Sequence, residues 1–200
     1  MDDYFGRIVG NDLSADLALG RINIQTANDA KNVVDKIIAY EKPDNGLWKN
    51  TITLVADDRE TTEGIEANLH TPQSEYLMAN RVPGFLEPNK IYLAAYPTVI
   101  TGFGRRKPEV NETIIKAINQ GTLILNYIGH GNPNVWAHEG VFERTSSIPS
   151  LQNDKLFFLT AATCDFGKYD DPTVQSSTEE LLLAEGRGMI GGFSAARVVY

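Results

Sequence analysis

Cys164 is the only cysteine among 200 residues, so it cannot close a disulfide within the chain. A lone thiol is an inert core residue, an intermolecular partner or a reactive group. Thirty-four residues upstream stands His130, in the run Gly129-His130-Gly131-Asn132. Together the two are equipped for acyl transfer. A free thiol with a pKa of about 8.5 is only slightly ionised at neutral pH, and an adjacent imidazolium increases the thiolate fraction. The same imidazole can then return a proton to the leaving amine. Backbone N–H groups of Gly131 and Cys164 are natural donors to the oxyanion, because the glycines leave the main chain open to an approaching carbonyl. Asp57 or Asp58 could supply a carboxylate to the second ring nitrogen of His130, fixing its tautomer; the bland alternative is a solvated turn.

Other side chains carry weaker signals. His130, His138, Cys164 and Asp165 could be assembled into a zinc site, but their spacing matches no standard zinc pattern and the ion would sequester the thiolate. No metal is therefore expected at the reaction centre. His138 reads as a loop residue near a substrate rim, His70 as a loop histidine close to it, and Trp136 as either a cleft wall or a core aromatic. Asp165, Asp170 and Asp171 could hold a structural calcium ion with loop carbonyls, or simply be solvated. Arg105-Arg106-Lys107 reads as a basic surface loop.

The elements that must position these groups follow from periodicity. Phe5 to Val9 and Leu17 to Ile24 are short apolar pieces of β type. Thr26 can cap a helix whose apolar face is Ala30, Val33, Val34, Ile37 and Ile38, ending before Pro43 and Gly46. Thr51 to Ala56 is a β-branched strand that runs into Asp57-Asp58 and a polar loop to about Thr71. The pattern predicts a helix over Gln73 to Val82, a strand over Ile91 to Ala95, and a helix over Val110 to Asn119 stopped at Gly121. Thr122 to Ile128 and Lys155 to Ala162 are the most apolar strands, as expected of strands buried on both faces. Ser176 and Glu179 form a capping box before Leu181-Leu182-Leu183, and Arg187 to Phe193 is a last strand. Strands alternating with helices define an α/β fold with a mainly parallel central sheet, in one domain. In such sheets functional residues collect at the carboxyl ends of strands, which is where His130 and Cys164 fall.

Composition sets the outer limits. Apolar residues make up 42% and the net charge is −8. That describes a globular domain with a sizeable core, and it disfavours a nucleic-acid partner, which needs a basic face. Met1 is followed by Asp2, Asp3 and Tyr4 without an apolar leader, and the far end stops in Arg197-Val198-Val199-Tyr200. A domain excised from a longer chain is the expectation.

Several segments resemble the catalytic domain of the gingipain-type cysteine peptidases, a branch of the caspase-like clan. They are Tyr4-Phe5-Gly6-Arg7-Ile8-Val9-Gly10 with Leu19-Gly20-Arg21, then Asn126-Tyr127-Ile128-Gly129-His130-Gly131, and Ala162-Thr163-Cys164-Asp165-Phe166-Gly167. The resemblance implies a caspase-like three-layer α/β sandwich over residues 1–200, with Cys164 as nucleophile, His130 as acid/base and Asp57, with Asp58 as rival, orienting the histidine. Asp57-Asp58 and Asn68-Leu69-His70 are similar to the family's sortase branch in the bacterial type IX secretion system. That branch implies a secreted or cell-surface endopeptidase or transpeptidase. It would cleave C-terminal sorting signals from cargo, pass the new end to a lipopolysaccharide anchor, work beside outer-membrane secretion components and require no cofactor. Arginine-specific relatives carry an acid near the position of His70 and Thr71; none stands here, so strict basic specificity is not expected. The alternative is a catalytically silent peptide-docking or structural module on the same fold.

Overall fold

The computed structural model describes residues 2–43, 46–61, 64–65, 67–102 and 104–199. Its frame is a parallel sheet of β1 (Thr51–Ala56), β2 (Glu87–Tyr92), β3 (Ile124–Ile128), β4 (Phe157–Ala162) and β5 (Met189–Ser194), in the spatial order β5-β4-β3-β1-β2. Four helices cross between or precede the strands: α1 (Ala27–Tyr40), α2 (His70–Arg81), α3 (Pro108–Gln120) and α4 (Ser177–Leu183).

Alternation along β1 builds the two outer layers. Ile52 and Leu54 point to one face, where Leu77 and Met78 of α2 pack on them. Val55 points to the other, joining Leu125, Tyr127 and Leu159 under Val110, Ile114 and Ile118 of α3. The expected sandwich, helices on both faces of a parallel sheet, is the architecture observed.

Helix ends follow their local chemistry. Thr26 and Asp29 close a reciprocal capping box on α1, and Ser176 with Glu179 does the same for α4. Gly121 stops α3 at φ 105°, where a Cβ would also collide with Trp48 and Lys155.

Three expectations are corrected. Phe5 to Val9 and Leu17 to Ile24 form no strand; the first enters a short 3-10 turn (Asp2–Gly6), and Phe5, Ile8, Val9, Leu17, Leu19, Ile22 and Ile24 are exposed. Apolar residues alone make no strand when no neighbouring chain pairs with them. The strand expected over Ile91 to Ala95 lies earlier, because Leu93–Ala95 coil into a 3-10 turn. On α1, Val34 and Ile38 face solvent while Lys36 is buried. Its Nζ donates to the carbonyls of Leu181 and Leu182 at the end of α4, at 3.3 and 2.8 Å. A cation is favoured there by the exposed carbonyls of a helix C-terminus.

Candidate active site

Three strands deliver the candidate residues at one level. Ala56, Ile128 and Ala162 lie side by side in register across β1, β3 and β4. The ladder continues one step further, with the Asp57 N–H donating to Ile128 O at 3.0 Å and the Gly129 N–H to Ala162 O at 3.3 Å. Adjacent strands are about 4.8 Å apart, so Asp57-Asp58, Gly129-His130 and Thr163-Cys164 leave the sheet as neighbours at its carboxyl edge.

The loop of His130 is held at its main chain. Asp57 is buried, and its Oδ2 accepts the His130 N–H at 2.9 Å while Oδ1 accepts the Asp58 N–H at 2.9 Å. The Tyr127 hydroxyl donates to His130 O at 2.6 Å, and the Ala137 N–H donates to the same carbonyl at 2.9 Å. Asp57 therefore meets His130 through the backbone, with a ring nitrogen inside 4.8 Å of its carboxylate. Burial pushes the Asp57 carboxyl up to about 7 against the lowering effect of the His130 amide, with Glu139 and Asp58 adding to the rise.

The two acids hold different partners. Asp58 pairs with Lys107 Nζ at 3.1 Å and accepts the Glu60 N–H at 2.8 Å. Lys107 also donates to the carbonyls of Leu93 and Tyr96 at 3.0 and 2.8 Å. Lys107 is buried and Arg105 and Arg106 are partly so, which corrects the reading of Arg105-Arg106-Lys107 as a basic surface loop. Arg105 lies 3.5 Å from the buried Glu139, whose carboxyl is raised by desolvation and then by Asp58.

Both glycines beside His130 are steric requirements. A Cβ on Gly129 would fall within 3.0 Å of Asp57 and of the Tyr127 hydroxyl, and one on Gly131 would strike Thr163 Oγ1. The histidine loop is thus packed between Asp57 on one side and the residue preceding Cys164 on the other.

Cys164 is partly buried, and its Sγ donates to Val199 O at 3.4 Å. Asp165 follows with φ 54°, a left-handed conformation that Asp tolerates better than most residues. Its N–H donates to Arg197 O at 3.2 Å and that of Gly167 to Ala195 O at 3.0 Å, so the segment after β5 braces the cysteine turn.

Two further histidines surround His130. His70 begins α2 instead of lying in a loop, and its ring is edge-on to that of His130 at 5.4 Å between centroids; the His138 ring is tilted at 4.9 Å. Trp136, expected as a possible cleft wall, is fully buried. It stacks on Tyr127 at 4.3 Å and touches Phe142 and Phe166, so it is a core residue behind the histidine loop.

Among the described residues, the groupings able to bring three metal ligands together are Asp57-His70-His130 and Asp57-Asp58-Glu139. The zinc set of His130, His138, Cys164 and Asp165 is not among them. Of the acids considered for calcium, Asp170 pairs with Arg197, and Asp171 accepts from the N–H and hydroxyl of Thr173.

Sequence reasoning missed Tyr127, Thr163, Lys107 and Glu139. A usable signal existed for Tyr127, since a phenol at the end of an aliphatic strand must find a hydrogen-bond partner when buried. Lys107 and Glu139 come together only through the fold.

Comparison with known proteins places the chain. The model of peptidase family C25 matches residues 1–200, and the chain belongs to that family. Gingipain R2 and Gingipain R1 of Porphyromonas gingivalis are each 27% identical over 176 residues, or 84% of this chain. The chain spans 21% of the first and 16% of the second, about a fifth of their length. Among solved structures, the Arg-specific cysteine proteinase gingipain R (RGPB) superposes with a TM-score of 0.77 at 24% identity, covering 100% of this chain and 44% of that one. The complex of the Porphyromonas gingivalis RgpB pro- and mature domains gives 0.73 at 23% identity, covering 98% and 45%. These structures share the fold.

Proposed function

We propose that the chain is the catalytic core of a cysteine endopeptidase or transpeptidase. The observation that carries this reading is the register of Ala56, Ile128 and Ala162, which brings Asp57, His130 and Cys164 to adjacent strand ends. Membership of a peptidase family supports it.

In this mechanism Cys164 Sγ, as the thiolate, attacks the scissile carbonyl carbon. The N–H groups of Cys164 and Gly131 receive the oxyanion. As the tetrahedral intermediate collapses, the C–N bond breaks, His130 gives its proton to the leaving amine, and a thioester remains. Water or an amine then attacks the thioester, His130 accepts the proton, and the C–S bond breaks to release the acyl group and restore the Cys164 thiolate. Asp57 positions the histidine loop and supports the imidazolium. His70 and His138 border the approach to His130 and would contact the peptide. The reaction as written needs only side chains and backbone, and structural calcium at the acidic turn near Asp170 remains a separate proposal.

The substrate class is protein. We assign the chain, by the similarity of Asp57-Asp58 and Asn68-Leu69-His70, to the sortase branch of type IX secretion, with secreted cargo as substrate at the bacterial surface and outer-membrane secretion components as partners.

A peptide-based thiol electrophile tests the dyad. It should label Cys164 faster than it labels an exposed cysteine in a denatured control, and His130→Ala should slow the reaction. Equal rates in the wild-type and His130→Ala chains would sink the proposal.

A further inference from the structure

Around His130 lies a constellation that the acyl-transfer reading leaves unused. One ligand atom from each of Asp57, His70 and His130 lies within 4.8 Å of the other two. The three residues arrive from separate elements: the end of β1, the first turn of α2 and the end of β3. Two imidazoles that share a tetrahedral zinc ion, at Zn–N bonds of about 2.0–2.1 Å, have ring centres about 5 Å apart. The rings of His70 and His130 stand at 5.4 Å.

Donor chemistry narrows the ion. Two imidazoles and one carboxylate suit zinc and its first-row neighbours, whereas calcium and magnesium prefer all-oxygen sites. The carboxylate is also prepared for the task. Asp57 is buried, and N–H groups of Asp58 and His130 already orient its two oxygens, the kind of outer hydrogen bonding that fixes a metal ligand. His70 and His130 are only partly buried, which leaves a side open for the ion to enter and for water to complete its shell.

The geometry points to a zinc-class divalent cation site formed by Asp57, His70 and His130, whose occupancy takes the His130 ring out of acid/base service. A metal bound there replaces the proton on the ring nitrogen beside Asp57, so the ring can no longer cycle between imidazole and imidazolium, and the ion acts as a reversible brake and not as a cofactor. The braking effect rests on the proposed dyad; the binding itself does not.

The test uses the whole 200-residue chain in metal-free buffer. Cobalt(II) is titrated in and followed by its visible absorption, and zinc is titrated against a chromogenic chelator. One ion should bind per chain, and zinc should displace cobalt. His70→Ala and His70→Gln should each weaken binding at least about tenfold with helix content unchanged by circular dichroism, while Cys164→Ser binds like the wild type. Unchanged affinity in both His70 variants, or loss of binding in Cys164→Ser, overturns the site. Binding is read without turnover, so a chain that holds zinc through His70 but shows no enhanced Cys164 reactivity would refute the peptidase reading alone.

Discussion

Asp57 Oδ2 accepts the backbone N–H of His130 at 2.9 Å, from one strand end to the next. The acid is therefore part of the frame of the histidine loop as well as a charge beside its ring. These two roles respond differently to substitution. An amide keeps one of the two acceptor oxygens, whereas support for an imidazolium requires the carboxylate.

Asp57→Asn should separate them. The side-chain carbonyl can still accept from His130, but the amide nitrogen then faces the Asp58 N–H in place of an acceptor oxygen, which offsets the relief of no longer burying a carboxylate. Stability in urea at neutral pH should stay within about 1 kcal/mol of the wild type, because the lost Asp58 acceptor opposes the relief of burial, while alkylation of Cys164 by a peptide electrophile slows at least about tenfold. Asp57→Ala leaves the His130 N–H without its acceptor and should lose about 1–3 kcal/mol. An Asn variant as reactive as the wild type would confine Asp57 to a framing role.

Gly129→Ala probes the same frame sterically. A Cβ at this position collides with Asp57 and Tyr127, while Gly84 has nothing within 4 Å of its would-be Cβ. Gly129→Ala should lose about 2 kcal/mol or more, and Gly84→Ala should stay within about 0.5 kcal/mol of the wild type. Denaturant midpoints of the two variants, measured side by side, check this; equal midpoints would mean that the histidine loop yields easily.

What could be read from the sequence was the chemistry at strand ends. Polar, glycine-rich runs such as Gly129-His130-Gly131 stand out after aliphatic strands, and β1 was bounded correctly by its β-branched residues and the following acids. The alignment of Asp57, His130 and Cys164 depends on inter-strand register, which no single strand encodes. The misreadings share a cause in tertiary partners. Phe5 to Val9 is apolar enough for a strand but pairs with no strand among the described residues. Lys107 reads as part of a basic surface loop and Lys36 carries no signal in the sequence, yet each buries its aliphatic stem and spends its amine on backbone carbonyls from another element. Trp136 sits in a loop-like stretch and is sealed by Tyr127, Phe142 and Phe166.

Placing Trp136 in the core changes what its substitution should do. A cleft-wall tryptophan replaced by Ala would weaken peptide binding and spare stability. A fully buried one stacked between three aromatic rings should cost about 3–5 kcal/mol, with Trp136→Phe recovering part of the loss. Thermal melts of both variants decide the matter. A Trp136→Ala chain that melts with the wild type would restore the cleft reading.

Lys36 provides the pH test, away from the active site. Burial first, and Arg187 second, hold its amine down at about 8, against 10.5 when unfolded. Below pH 8 both states carry the proton and Lys36 imposes its full cost. Between about pH 8 and 10.5 the unfolded chain binds more protons than the folded one, so stability rises with pH through this group. Each pH unit in that window is worth about 1.4 kcal/mol. Lys36→Met removes the titration but leaves the carbonyls of Leu181 and Leu182 without their donor. Urea unfolding of both chains at several alkaline pH values isolates the lysine, because the tyrosines titrate alike in each and cancel in the difference. The stability of the wild type relative to Lys36→Met should grow by about 3 kcal/mol across the window. A difference that stays flat would mean that the lysine keeps its proton in the folded chain, stabilised by the two carbonyls at the end of α4.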